Sequence, residues 1–124
     1  MKPILAVALF ALPMVARAEY FDVFEIKLKD ACKLEQELQI VRDFNSQWGP
    51  KHGYSAEIVI PIENSHMGSI YWVGRTKDMA TLGEVVDTFA EEARRDPDSV
   101  AGKLLARLHE CEIVLSRSGY ESLK

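Results

Sequence analysis

The sequence predicts an α+β domain whose strands and helices follow the order β-α-β-β-α-α-β. Four short segments alternate apolar with polar residues, which is typical of strands with one buried face. Between them, apolar residues recur every three or four positions, as on one face of a helix. The chain has 124 residues, and the part after residue 18 is the right length for one domain.

The first strand and the first helix are predicted from residues 20–29 and 31–48. In the strand, Phe24, Ile26 and Leu28 alternate with charged residues. Asp30 is a candidate helix cap, and Gly49-Pro50 is expected to end the helix. The apolar stripe of this helix comprises Leu34, Leu38, Val41, Phe44 and Trp48. Its polar face is predicted to comprise Lys33, Glu35, Gln36, Glu37, Gln39, Arg42 and Asp43.

Residues 54–63 and 69–76 predict a β-hairpin joined by a short turn at 64–68. In the second of these strands, Ile70 and Trp72 are expected on one face and Tyr71, Val73 and Arg75 on the other. Pro61 cannot donate a backbone hydrogen bond, so we expect its strand to lie at a sheet edge or to break there.

Two helices and a last strand are predicted in the final third of the chain. Thr81 and Glu84 form a T-x-x-E capping box at the start of the first of these helices. Pro97 ends it and opens the next helix, with Asp96 as the cap. Residues 112–117 predict the final strand, and 118–124 are expected to be a flexible tail.

This order of elements is that of the ferredoxin-like fold, with a four-stranded antiparallel sheet in the order 4-1-3-2 and the helices on one face. The last strand then lies beside the first. Cys32 follows the first strand and Cys111 precedes the last, so the topology brings the two cysteines together. We predict a disulfide between them; the alternative is two buried free thiols.

Residues 1–18 are predicted to be a signal peptide. Lys2 gives a positive start, an apolar run follows, and Ala16-Arg17-Ala18 is a small-x-small cleavage site. Cleavage after Ala18 would make the protein exported, periplasmic or secreted, with the domain at residues 19–117. The apolar run is shorter than the ~20 residues that span a bilayer, although an uncleaved anchor is the alternative.

The net charge of the domain argues against two classes of binding partner. Cleavage removes Lys2 and Arg17, so the net charge changes from −4 to −6. An acidic domain without a basic cluster is not expected to bind nucleic acid or, after cleavage, an anionic membrane.

The nearest local signals of a family resemblance are Asp43, Phe44 and Asn45 with Trp48, and residues 70–75 (IYWVGR). The element order, the domain length and the break in the second helix at Pro97 make the chain resemble the dimeric α+β barrel superfamily, which includes ABM-like and NIPSNAP-like domains. The resemblance implies a homodimer formed by two sheets face to face, and a small aromatic molecule or haem bound between sheet and helices.

The open sheet face is apolar enough to support such pairing, although a soluble monomer is the alternative. Its predicted apolar residues are Phe21, Val23, Val59, Tyr71, Val73, Ile113 and Leu115. The charged residues interleaved with them are Glu25, Lys27, Glu57 and Arg75.

Aromatic residues with a few polar groups predict a ligand pocket, against the simpler interpretation that they form the core. The candidates are Asn45, Trp48, Tyr54, Trp72, Arg75 and Phe89. His52, His66 and His109 lack metal-binding spacing, so no metal is expected. The haem-degrading residues of the superfamily cannot be matched to Asn45, Trp48 and Trp72, so no cofactor is expected either.

Two functions remain from the sequence. The first is an exported small-ligand-binding or structural domain that acts as a homodimer. The alternative is a cofactor-independent monooxygenase or isomerase of the ABM-like type, which acts on an aromatic or electron-rich small molecule. The first is preferred because the sequence contains no recognisable set of acid–base groups, and catalytic residues stay unassigned.

Overall fold

The computed structural model describes residues 19–63 and 68–123. Its elements are β1 (Tyr20–Leu28), α1 (Leu34–Gln47), a 3-10 turn (Gly49–His52), β2 (Ser55–Val59), β3 (Ile70–Thr76), α2 (Met79–Arg95), α3 (Val100–Cys111) and β4 (Glu112–Glu121). The predicted α+β, ferredoxin-like fold is confirmed. The predicted signal peptide, most of the predicted turn at 64–68, and His66 lie outside the described residues.

The four strands form one antiparallel sheet in the order β2-β3-β1-β4, as predicted. In the centre of the sheet, Phe24 pairs with Trp72 on one side and with Arg117 on the other. These three side chains therefore share the face that the helices cover. β2 is an edge strand and ends at Val59, shorter than predicted, because Pro61 has no N–H with which to continue the ladder.

A β-bulge interrupts the pairing of β1 with β4. Glu25 pairs with Ser116, and the next residue, Ile26, pairs with Val114, so Leu115 is the extra residue. β4 also runs to Glu121, four residues into the segment predicted as a flexible tail. It does so because β1 begins at Tyr20 and offers these residues backbone partners.

The helix caps differ from those predicted. Lys33 rather than Asp30 precedes α1, and its backbone N–H donates to Gln36 Oε1 at 2.7 Å. Asp78 caps α2 by accepting from the Thr81 N–H at 2.7 Å, so the helix starts one turn ahead of the predicted capping box.

The cap of α3 also lies elsewhere than predicted. Ser99, not Asp96, is the cap, and its hydroxyl accepts from the Gly102 N–H at 3.0 Å. Asp96 instead ends the preceding helix, with its N–H bonded to the Glu92 carbonyl.

Phe44 occupies the centre of the core between the sheet and the helices. Its ring is 5.3 Å from Trp72, 5.6 Å from Tyr54, 5.8 Å from Trp48 and 6.0 Å from Phe89 between ring centroids. These edge-on and tilted contacts are the arrangements that aromatic rings prefer. One helical side chain thus organises the aromatic part of the core.

The buried stripe of α1 is shifted from the predicted one. Glu37 and Ile40 are buried with Val41 and Phe44, whereas Leu38 is only half-buried. The prediction of Glu37 on the polar face is therefore wrong. Positions 37, 40, 41 and 44 have the i, i+3, i+4, i+7 spacing of one helix face, and Glu37 lies on it.

Cys32 and Cys111 are joined in a disulfide, which confirms the predicted pairing. Their Cα atoms are 5.0 Å apart, and the backbone N–H of Lys29 donates to the Cys111 carbonyl at 2.9 Å. The bridge therefore ties the end of β1 to the junction of α3 and β4. Among residues 19–63 and 68–123, no helix has the length and apolar character needed to cross a membrane.

Candidate ligand cavity

A cavity of about 310 Å³ lies between α2, α3 and the helix-covered face of the sheet. Aromatic rings supply much of its wall: Phe24, Phe44, Trp48, Tyr54, Trp72 and Phe89. Aliphatic side chains close it on the helical side and along β4: Val85, Val86, Ala90, Leu105, Leu108 and Val114. Its volume is at the lower end of the range for small-molecule sites, roughly 300–1,000 Å³.

A chain of hydrogen bonds forms a polar part of this cavity. Trp72 Nε1–H donates to the Tyr54 hydroxyl at 2.9 Å, and that hydroxyl faces Asp22 Oδ2 at 3.4 Å. Arg117 donates to both Asp22 oxygens, from Nε at 2.8 Å and from Nη2 at 3.0 Å. The buried Asp22 carboxylate is thus compensated by a two-point contact with a cation.

Burial and neighbouring charges determine the protonation states of Tyr54 and Arg117 in this series of hydrogen bonds. Burial, with the nearby negative charge of Asp22, raises the pKa of Tyr54 well above its ordinary value. The hydrogen bond to Asp22 raises the pKa of Arg117. Tyr54 therefore keeps its proton and Arg117 its charge at neutral pH. The Arg117 guanidinium also lies over the Phe24 ring, 4.7 Å from the ring centroid.

Gly74 makes room for the Tyr54 hydroxyl. A Cβ atom at Gly74 would lie 1.8 Å from that oxygen, far inside contact distance. This glycine is required because the tyrosine side chain crosses directly over the β3 backbone.

Two contacts fix the position of Trp48 in the cavity wall, a hydrogen bond and a ring stack. Its Nε1–H donates to Glu92 Oε2 at 2.7 Å, which links α1 to α2. The His52 ring stacks on the indole, with centroids 3.9 Å apart and planes 16° from parallel. The Trp48 ring therefore has a fixed orientation toward the cavity.

A second polar part of the cavity is provided by Glu112, which faces the buried Glu37. No residue in the described part of the chain donates a hydrogen bond to either Glu37 carboxylate oxygen or to Glu112 Oε2. Burial raises the pKa of both carboxyl groups, and the neighbouring Glu37 helps to bring that of Glu112 to about 8. At neutral pH a proton held between the two carboxyls satisfies the pair.

The structure brings together four of the six pocket candidates: Trp48, Tyr54, Trp72 and Phe89 line the cavity. Asn45 lies outside it. The Asn45 side chain bonds the backbone of Ala56 in both directions, at 2.7 and 2.9 Å, and so fastens α1 to β2. Arg75 is on the opposite, open face, where it pairs with Glu57 and lies 5.1 Å from the Phe21 ring centroid.

Among the polar groups of the site, the sequence interpretation missed Asp22, Arg117 and Glu112; His109, considered there only for a metal site, also lines the cavity. Asp22 carries a signal, because it has the same parity as Phe24 and Ile26 in β1 and so belongs on the buried face. Arg117 was expected at the very end of the last strand, and the bulge that orients it has no sequence signal that we can identify.

The Cys32, Glu37 and Cys111 side chains form a compact group, with a carboxylate oxygen and both sulfur atoms within 4.8 Å of one another. Because the sulfurs are joined in a disulfide, they are not available as thiolates.

No family model and no curated protein matches the chain. Among solved structures, a conserved protein of unknown function from Bacteroides thetaiotaomicron VPI-5482, described as a possible oxidoreductase, is 6% identical, with a TM-score of 0.52 over 86% of this chain and 98% of its own. A dimeric ferredoxin-like protein of unknown function from Bacteroides fragilis NCTC 9343 is 12% identical, with a TM-score of 0.42 over 84% and 94%.

A third structure is a dimeric ferredoxin-like protein of unknown function from Thermobifida fusca YX. It is 9% identical, with a TM-score of 0.45 over 86% of this chain and 92% of its own. At such identities, structural similarity concerns the fold alone. The resemblance to ABM-like or NIPSNAP-like domains in particular stays a prediction.

Proposed function

We propose that this domain binds a neutral aromatic small molecule in the cavity between its helices and its sheet, and that it does so as a homodimer. The observation that carries the proposal is the cavity itself, about 310 Å³ walled by six aromatic side chains. Such walls with few polar groups are what a small-molecule site requires.

The polar groups of the cavity favour a ligand without net charge. The charge of Arg117 is balanced by Asp22, with which it forms two hydrogen bonds. Glu112 shares a proton with Glu37 at neutral pH. A ring bearing a hydroxyl or carbonyl group could exchange hydrogen bonds with these side chains, whereas a carboxylate ligand would find the guanidinium of Arg117 already bonded to Asp22.

Naphthoquinone and 2-naphthol are suitable probes, and an Ala90→Trp variant tests where they bind. Ala90 lines the cavity on the exposed side of α2, so an indole there is expected to fill the space. The wild-type protein should gain about 2.7 kcal/mol of stability at 100 times the dissociation constant. The Ala90→Trp variant should bind the probe with a dissociation constant at least tenfold higher, as measured by ligand-observed NMR and thermal shift.

Ala106→Trp is the matched control, because Ala106 is exposed on α3 outside the cavity lining. It should bind the probe like the wild type. Equal weakening in both variants, or no saturable binding by the wild type, would refute the ligand proposal.

The alternative function, a cofactor-independent monooxygenase or isomerase, draws on the same aromatic walls. We prefer binding, because the amide of Asn45, the polar group expected near the substrate, is engaged by the Ala56 backbone. The binding experiment separates the two: recovery of unchanged probe after aerobic incubation supports binding, and an oxygenated or isomerised product supports the alternative.

The homodimer proposal rests on the open face of the sheet. Val59, Ile113, Leu115 and Tyr120 are 42–57% exposed there or along its β4 edge. Val23 and Val73 face each other at the centre of this surface. The face carries two acidic and two basic residues, Glu25, Glu57, Lys27 and Arg75, so a two-fold pairing can place opposite charges together.

A Val73→Asp substitution should convert the dimer to a monomer, because it places a charge at the centre of the paired faces. Sedimentation equilibrium measures the change as a halving of the apparent mass. Val100→Asp is the control, since Val100 is 41% exposed at the start of α3. A wild-type protein that sediments as a monomer at micromolar concentration would contradict the proposal.

We also propose that the protein acts outside the cytoplasm, after cleavage behind Ala18. A disulfide between Cys32 and Cys111 supports this location, because such bridges persist in oxidising compartments.

A further inference from the structure

The buried carboxyl group of Glu37 reaches the aromatic cavity only through the proton that it shares with Glu112. Its side chain is fully buried, and apart from that shared proton no described residue donates a hydrogen bond to it. Burying two carboxyl groups with one shared proton is unfavourable, and an apolar side chain at position 37 would fill the same space without that penalty. What Glu37 does approach is the disulfide: one of its oxygens and both sulfur atoms lie within 4.8 Å of one another.

The disulfide can be reached from solvent through a groove of about 590 Å³. Cys32 and Cys111 lie in its wall with Gln36, Gln39, Arg107 and Glu110. Among the described residues, the linings of this groove and of the aromatic cavity have no member in common. The groove is therefore a second, separate site whose distinguishing feature is the sulfur–sulfur bond.

The two sulfur atoms lie in different surroundings. Cys32 is partly exposed and precedes the first turn of α1, where the positive end of the helix dipole favours a thiolate. Cys111 is 4% exposed and is the last residue of α3, where burial and the negative helix end both disfavour a thiolate. An incoming thiolate would thus meet Cys32, and Cys111 would need a proton on leaving.

We propose that the Cys32–Cys111 bridge is a redox-active disulfide that exchanges with an external dithiol, and that Glu37 supplies and takes back the proton of Cys111. Its partner is a dithiol, free or in a protein, that enters the groove. The Glu37 oxygen lies within 4.8 Å of both sulfur atoms. A proton can cross that distance after a small movement of the side chain or through a single bridging water molecule.

Reduction then proceeds in two exchanges. One thiolate of the dithiol attacks Cys32 Sγ, the sulfur–sulfur bond breaks, and its electron pair passes to Cys111 Sγ, which takes the proton of Glu37. The second thiol of the donor loses its proton to Glu37, attacks its own mixed-disulfide sulfur and releases the Cys32 thiolate. The donor leaves as a disulfide, the two cysteines are reduced, and the carboxyl group regains its proton.

The groups around Glu37 make it competent to hold that proton near neutral pH. From β4 it faces Glu112, and from α3 and the segment before α1 it faces the two sulfurs. Burial raises the pKa of Glu37, and the facing carboxyl group can share its proton. Arg107 and Glu110, of opposite charge, line the groove into which the disulfide opens.

The test is the reduction of the folded, oxidised protein by dithiothreitol, followed by alkylation and intact mass. The wild-type bridge should be reduced faster than the domain unfolds, and the rate should change with pH as the carboxyl pair titrates. Glu37→Gln should slow reduction at pH 7 at least tenfold and remove that carboxyl-linked change. Glu35→Gln, on the exposed side of the same helix, should react like the wild type.

Two results would overturn the proposal. One is a wild-type bridge that is reduced only at the rate of global unfolding measured by hydrogen exchange, as expected of a purely structural disulfide. The other is an equal rate for Glu37→Gln and Glu35→Gln. If Glu37→Gln does not fold, Cys111→Ser decides: its free Cys32 should be alkylated with a pKa below the ordinary ~8.5, and a pKa at or above that value refutes the mechanism.

Discussion

Replacing Phe44 with Ala should lower the free energy of unfolding by about 4 kcal/mol, the largest effect expected of a single side chain in the aromatic core. The Phe44 ring is 5% exposed and contacts four other aromatic rings. Its loss removes apolar burial and joins new empty space to the cavity that Phe44 lines. Urea unfolding followed by tryptophan fluorescence measures the change.

The control for this substitution is Met79→Ala. Met79 is 64% exposed at the start of α2, so its truncation should change stability by less than about 0.5 kcal/mol. A Phe44→Ala protein that loses no more than the Met79 variant would show that the aromatic cluster does not support the fold.

The stability of the oxidised protein should decrease as the pH rises from about 5 to 9. Burial raises the pKa of Glu37 and brings that of Glu112 to about 8 in the folded protein, whereas unfolded glutamates titrate near 4.5. Above that lower value the unfolded chain releases protons that the folded chain keeps. The stabilisation is therefore complete at pH below about 4.5 and is lost as the pH rises to 8; at roughly 1.4 kcal/mol per pKa unit, the loss is at most about 5 kcal/mol.

Urea unfolding at a series of pH values checks this expectation. Glu37→Gln should flatten the curve, because it removes the titration of Glu37 itself and the part of the raised Glu112 pKa that Glu37 causes, while the burial of Glu112 remains. Glu35→Gln should keep the wild-type slope, since Glu35 is exposed on the same helix. A wild-type curve that is flat or rises between pH 5 and 9 would contradict the paired-carboxyl description.

The alternation of residues in β1 and β3 was sufficient to predict which face of the sheet each side chain takes. Ile26 and Trp72 are buried under the helices, while Val73 and Arg75 lie on the open face, as expected. The cysteine pairing was predictable as well, because the topology fixes the neighbours of β1. These predictions succeeded because alternating side chains in a strand can take only two faces, and because the strand order fixes which strands are neighbours.

The polar groups were harder to predict because sequence patterns assign charged residues to the surface. Glu37 was placed on the polar face of α1 although it shares a helix face with Ile40, Val41 and Phe44. Its burial becomes understandable only with Glu112 and the disulfide beside it, groups that are distant in sequence. The charge of Asp22 is likewise compensated by a cation 95 residues away.

The extra residue in β4, Leu115, decides which face of the sheet the Arg117 side chain occupies. Glu112 and Arg117 are separated by an odd number of positions, so an uninterrupted strand would direct them to opposite sides of the sheet. Leu115 shifts the parity by one, and both side chains reach the same cavity from a single strand. One inserted residue thus lets an edge strand deliver a carboxyl group and a guanidinium to one site, and deleting Leu115 would turn one of the two to the other side of the sheet.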